Sequence, residues 1–94
     1  MPEIYDLEWD VQNEDHLSQH RIKPSEVREL LWNTHLTKSN PAGGAGTLLL
    51  IGSTNGGRTL TVSVAPTLDA TTWRPVTGWD STSDEATLLA KYGR

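Results

Sequence analysis

Leu48-Leu49-Leu50-Ile51-Gly52-Ser53-Thr54-Asn55-Gly56-Gly57-Arg58-Thr59-Leu60-Thr61-Val62-Ser63-Val64 is the stretch on which the fold turns. It opens on four apolar residues in succession, and in its second half Leu60, Val62 and Val64 alternate with Thr61 and Ser63. Strict alternation puts one side-chain type on each face of an extended chain, so the second half reads as a strand. The first half is short and apolar enough to be its buried partner. Between them Asn55-Gly56 suits the positive backbone angles of a tight type I′ turn, and Gly57 beside it predicts a slightly longer loop or a bulge. The pattern therefore predicts a hairpin at the centre of the chain.

Downstream of the hairpin, Leu68–Thr72 reads as a loop and Trp73–Trp79 as the next strand. Pro75 cannot donate to a ladder, which implies an edge position or a bulge there. Thr82 and Glu85 have the spacing of a capping box, opening a last helix whose Leu88, Leu89 and Tyr92 are expected to face inward and which Gly93 can end. Upstream, the proline and glycines of Asn40–Gly46 predict a loop, and Thr34–Lys38 a short strand. A helix is expected through about Asn33, capped by Ser25, with Val27, Leu30 and Leu31 as its apolar stripe and Arg28 and Glu29 turned to water. Asp10 is a candidate cap for a helix over Val11–His20, where Asn13, His16, Leu17 and His20 share one face. Ile4–Glu8 alternates as a short edge strand or extended arm would. Helical crossovers between successive strands are missing, which favours α+β: an antiparallel sheet of about four strands with two N-terminal helices and one C-terminal helix, in a single domain over residues 1–94.

Composition narrows the function. The chain of 94 residues contains no cysteine, so neither a disulfide framework nor a thiolate metal site is available. It holds no apolar run long enough to cross a bilayer and no signal-peptide pattern, which together predict a cytoplasmic protein without a membrane role. The formal net charge of −4 argues against indiscriminate nucleic-acid binding. The charge is unevenly spread. Residues 1–20 carry six acids and no Lys or Arg, whereas residues 21–74 carry six bases against three acids. A locally basic middle could hold a few phosphates; it could equally be a solvated surface.

The run Leu7-Glu8-Trp9-Asp10, then Asn13, His16-Leu17, His20 and Glu26-Val27, resembles the start of BrnT-type toxins, which belong to the RelE-like ribonuclease toxin superfamily. Gly52-Ser53-Thr54, Gly57-Arg58, Leu60–Val64, Trp73-Arg74-Pro75-Val76-Thr77 and a closing helix with Glu85 and Tyr92 extend the resemblance, in order, over nearly the whole chain. The resemblance implies a metal-independent endoribonuclease that needs no cofactor. Its partners would be an RNA substrate and a ribbon-helix-helix antitoxin, which would bring the pair to operator DNA. The chain departs from the pattern twice. Where relatives often have Gly after the second histidine it has Arg21, which in a left-handed helix end would cost about 1–2 kcal/mol. The loop Lys38-Ser39-Asn40-Pro41-Ala42-Gly43-Gly44 lacks the arginines common in related sequences.

Cleaving RNA without a metal needs a base for the 2′-hydroxyl proton, an acid for the leaving oxygen, and cations for the charge on phosphorus. Arg58 and Arg74 are the candidate phosphate clamp, because a guanidinium fork holds two oxygens at once and paired strands could bring the two together. Each would also serve as a solvent-facing strand residue that discourages edge pairing. His16 and His20 suit proton transfer, four residues apart on one helix face; each also fits a helix histidine bonded to a neighbour. A zinc site would need a third or fourth protein ligand, and no paired acidic motif supplies one. Glu85 is a further catalytic candidate by its position in the family, although the capping box explains it. Trp9, Trp32, Trp73 and Trp79 could stack on bases, but in a chain with no Phe they are expected to fill the core. A rival reading, drawn from the acidic balance and the two departures, is a non-catalytic protein-binding module on the same fold.

Overall fold

The computed structural model describes residues 3–43 and 47–94. In chain order these form β1 (Asp6–Leu7), α1 (Val11–Gln19), α2 (Pro24–Trp32), β2 (His35–Ser39), a 3-10 turn (Pro41–Gly43), β3 (Leu48–Ser53), β4 (Thr59–Pro66), β5 (Thr72–Asp80) and α3 (Ser83–Tyr92). The central hairpin is β3 against β4, with Leu48, Leu50 and Gly52 opposite Val64, Val62 and Leu60. Its turn is not type I′. Of Asn55, Gly56 and Gly57 only Gly57 has positive φ (89°), and the Gly57 amide closes the turn on the Thr54 carbonyl at 3.1 Å. The extra glycine supplies the left-handed residue of a three-residue loop, so the bulge alternative holds.

Among the described residues the sheet has five strands in the order β1-β5-β4-β3-β2. It is mixed, which corrects the expectation of about four antiparallel strands: β1 runs parallel to β5, with Asp6 opposite Thr72 and Leu7 opposite Trp73. The N-terminal arm enters beside β5, and α1 and α2 then carry the chain to the far edge, where β2 pairs with β3. Pro75 faces Val64 where the β4–β5 register slips between Ser63 and Val64, so the missing donor sits at a bulge.

Paired residues in register share a face. On one face Leu48, Leu50, Leu60, Val62 and Val64 pack with Leu17, Ile22, Val27, Leu30 and Trp73, all buried. On the other, Ile51 and Leu89 are buried outside that cluster, where α3 packs on β2 and β3. Leu31 and Trp9 lie half-buried against the main core, but Trp32 is 71 % exposed and Tyr92 67 % exposed, both against expectation. Each projects from the last residue of its helix, beyond the face that packs.

The helix ends follow local chemistry. Asp10 and Thr82 both cap as predicted, each in a reciprocal capping box. Ser25 does not cap α2; the cap is Lys23, two residues earlier, with Pro24 at the first helical position, and the Glu26 carboxylate accepts from the Lys23 amide at 3.1 Å. α1 ends with Arg21 at φ 60°, the one non-glycine residue with positive φ among those described. The Ile22 amide donates to Leu17 O (3.0 Å) and the Arg21 amide to Ser18 O (2.9 Å), the paired bonds of a left-handed helix stop, with Ile22 and Leu17 in the core. Of the loop predicted over Asn40–Gly46, residues 44–46 lie outside the described residues.

Candidate functional site

α1 lies across β5, and its two ends hold the two arginines singled out in the sequence. At its start, Arg74 grips Asp10 with both guanidinium arms, Nη1 to Oδ2 at 2.7 Å and Nη2 to Oδ1 at 3.0 Å, and reaches Glu8 at 3.4 Å. This bidentate contact, with the Asn13 amide, holds the Asp10 carboxyl down at about 2 and Arg74 above the ordinary guanidinium range. At the far end, Arg58 Nη1 donates to both Glu26 oxygens (3.1 and 3.0 Å) and to the Arg21 carbonyl (2.8 Å), while Nη2 donates to Asp80 (3.0 Å).

The structure therefore separates the proposed clamp. Arg58 adjoins Thr59 at the start of β4, while Arg74 stands opposite Ala65 near its end, about 20 Å away at the rise of an extended chain. Pairing β4 with β5 brings their sequences together antiparallel, and that places the two arginines at opposite ends. Arg58 ties the α1–α2 turn to the sheet, in a role that sequence reasoning did not assign.

His16 and His20 do come together. Both are exposed, with ring centroids 5.5 Å apart, and His16 Nε2 lies 3.1 Å from the Thr77 hydroxyl on β5. Asn13, one turn back, is buried: its amide nitrogen donates to Glu8 O and Pro75 O, both at 2.9 Å, and its oxygen accepts from the Asp10 amide. It thus satisfies a carbonyl at the β5 bulge and pins α1 there. Gln12, Asn13, His16, Arg74, Pro75 and Val76 line a shallow hollow of about 230 Å³, so Arg74 and His16 share a site that Arg58 does not reach.

Glu85 lies apart from that hollow. Its Oε1 accepts from the Thr82 amide (2.8 Å), the Trp79 indole (3.0 Å) and the Thr61 hydroxyl (3.0 Å). Burial pushes the Glu85 carboxyl up, but these donors outweigh it and hold the group below the usual glutamate range. A carboxylate fixed in this way anchors α3 and Trp79 and is a poor proton donor at neutral pH. Trp73 is buried, and Trp79, half-buried, presents its polar edge to Glu85. Among the described residues no three His, Asp or Glu side chains converge on a point that could hold a metal.

Thr77 and the carboxylate partners of the arginines were missed in the sequence. One signal was present: the first twenty residues carry acids and no Lys or Arg, and Arg74 finds both its partners among them. No helix among the described residues is long and apolar enough to cross a membrane. Comparison with protein-family models, with curated proteins and with solved structures found no match to this chain.

Proposed function

We propose that the chain is an RNA-cleaving toxin of the BrnT type, RelE-like in fold, acting in the cytoplasm without a metal and neutralised by a ribbon-helix-helix antitoxin through which it reaches operator DNA. The observation that carries this is the pair of exposed imidazoles, 5.5 Å apart, beside a hollow that His16 shares with Arg74. Two imidazoles and a guanidinium are the groups a transphosphorylation needs. One imidazole takes the 2′-hydroxyl proton as that oxygen attacks phosphorus. The bond from phosphorus to the 5′-oxygen breaks, the other imidazole protonates the leaving oxygen, and a 2′,3′-cyclic phosphate remains. Arg74 binds the phosphate by exchanging the half-exposed Asp10 carboxylate for phosphate oxygens. Arg58 and Glu85 hold the scaffold.

The engaged arginines favour a second reading. All four ion pairs among the described residues use Arg58 or Arg74, so a phosphate finds neither cation free, as suits a protein-binding module without catalysis. Cleavage of RNA by the purified protein in excess chelator separates the two. On the nuclease reading His16→Ala, His20→Ala and Arg74→Ala each slow cleavage, the histidine variants by about 10²–10⁴-fold. A folded protein that leaves RNA intact, or cleavage unchanged in all three variants, sinks it.

A further inference from the structure

β2 closes one side of the sheet, and among the described residues no strand pairs with its outer edge. The inward bonds are made by even-numbered residues: Thr34 O accepts from the Ser53 amide at 3.3 Å, and the Asn40 amide donates to Thr47 O at 3.1 Å, bracketing the β2–β3 ladder. Antiparallel pairing alternates, so the amides and carbonyls of His35, Thr37 and Ser39 point outward. His35 exchanges both its bonds with Arg94, at 3.2 and 3.0 Å, so a main chain already pairs at the first outward position. Among the described residues, nothing pairs with the next two outward positions, Thr37 and Ser39.

A hollow of about 650 Å³ lies along this edge, walled by Ile4, Tyr5 and Leu31 on the α2 side and by Leu36 and Tyr92 on the α3 side, with Glu3 and Arg94 as its charged lining. Lys38, next to Thr37 on the edge strand itself, is exposed, and neither it nor Arg94 has an ion-pair partner among the described residues. From these observations we propose that the β2 edge docks an extended, acidic–apolar segment of a partner protein, which joins the sheet as an added strand. Backbone groups at Thr37 and Ser39 hold the segment. Its apolar side chains lie over Thr37 and Ser39 toward Leu31, and its acidic ones face Lys38. A second copy of this chain is the poorer occupant. Two-fold pairing centred on Lys38 sets like charges opposite each other, and centring it on Thr37 places Ser39 opposite a His35 that Arg94 already holds. The inference is independent of RNA cleavage.

The test is titration of the full chain with an acetylated, amidated octapeptide alternating valine and glutamate, alongside its valine–lysine counterpart. Saturable binding of the acidic peptide is expected, with amide exchange slowed at Thr37 and Ser39. Thr37→Pro removes an outward amide and no ladder bond, so the fold should stand while binding weakens about tenfold. Lys38→Glu, at an exposed position, should weaken the acidic peptide about fivefold and favour the basic one. Absence of saturable binding, or equal affinity for every variant, overturns the proposal. So does a wild-type dimer that Thr37→Pro dissociates, which would give the edge to a second copy.

Discussion

Arg21→Gly should stabilise this protein. Arg21 occupies the left-handed stop of α1 at φ 60°, a conformation that costs a residue with a Cβ about 1–2 kcal/mol. Glycine avoids that cost but gives the unfolded chain more freedom, returning about 0.5–1 kcal/mol. The guanidinium is exposed and makes no hydrogen bond or ion pair among the described residues, and the contacts Arg21 does make, its amide with Ser18 O and its carbonyl with Arg58, are main-chain ones that glycine keeps. The net gain is about 0.5–1 kcal/mol, or about 2–8 °C in Tm for a domain of this size. Urea denaturation of wild type, Arg21→Gly and Arg21→Ala measures it. The alanine variant, which keeps the strain and loses only the side chain, should fall within about 0.5 kcal/mol of wild type. The slope against urea should be the same in all three. If glycine is no more stable than alanine, the strain is not there and the account of how α1 ends is wrong.

Three further perturbations probe what positions the candidate site. Asn13→Ala removes three hydrogen bonds and leaves the Pro75 carbonyl without its partner, so it should cost about 2–3 kcal/mol by urea denaturation; a loss under 1 kcal/mol would mean that water replaces the amide. Asp10 is held at about 2 when folded against 3.8 ordinarily, so the unfolded chain binds its proton first as pH falls. The stabilisation from Asp10 is then complete above about pH 4 and is lost as pH falls through about 2. Asp10→Asn should flatten the dependence of the urea midpoint on pH across that window, and an unchanged slope would count against the Arg74 contact. Gly78→Ala would bring a methyl to 3.0 Å from Ile22 Cδ1, 3.1 Å from the Thr61 carbonyl and 3.2 Å from Leu17 Cδ2. It should cost about 1–3 kcal/mol in a thermal melt, because the carbonyl belongs to the paired β4 and cannot move aside; a neutral substitution would show that α1 rides loosely on β5.

What the sequence alone determined was local. Alternation in Leu60–Val64 placed β4, the apolar run before it placed β3, and Gly57 marked the extra residue of their turn. Asp10 and Thr82 opened helices because a side chain can reach an amide three residues on, whatever the rest of the chain does. Pro75 announced an edge position or a bulge because a missing donor is a property of the residue itself, and the register slip beside it made it a bulge. Even the strain at Arg21 was foreseeable from the residue type and its place after the helix.

Only the tertiary structure decided which distant groups meet. Antiparallel pairing of β4 with β5 sent Arg58 and Arg74 to opposite ends, and the entry of the N-terminal arm beside β5 gave Arg74 the carboxylates of Glu8 and Asp10. The seat of α1 on β5 made Asn13 a buried tie and left His16 and His20 exposed together, although all three share a helix face. Trp32 and Tyr92 turned outward at helix ends because the packing faces had already closed. Long-range charge pairing and exposure depend on strand order, and no periodicity within a segment encodes strand order; it emerges from how the whole chain buries its apolar faces.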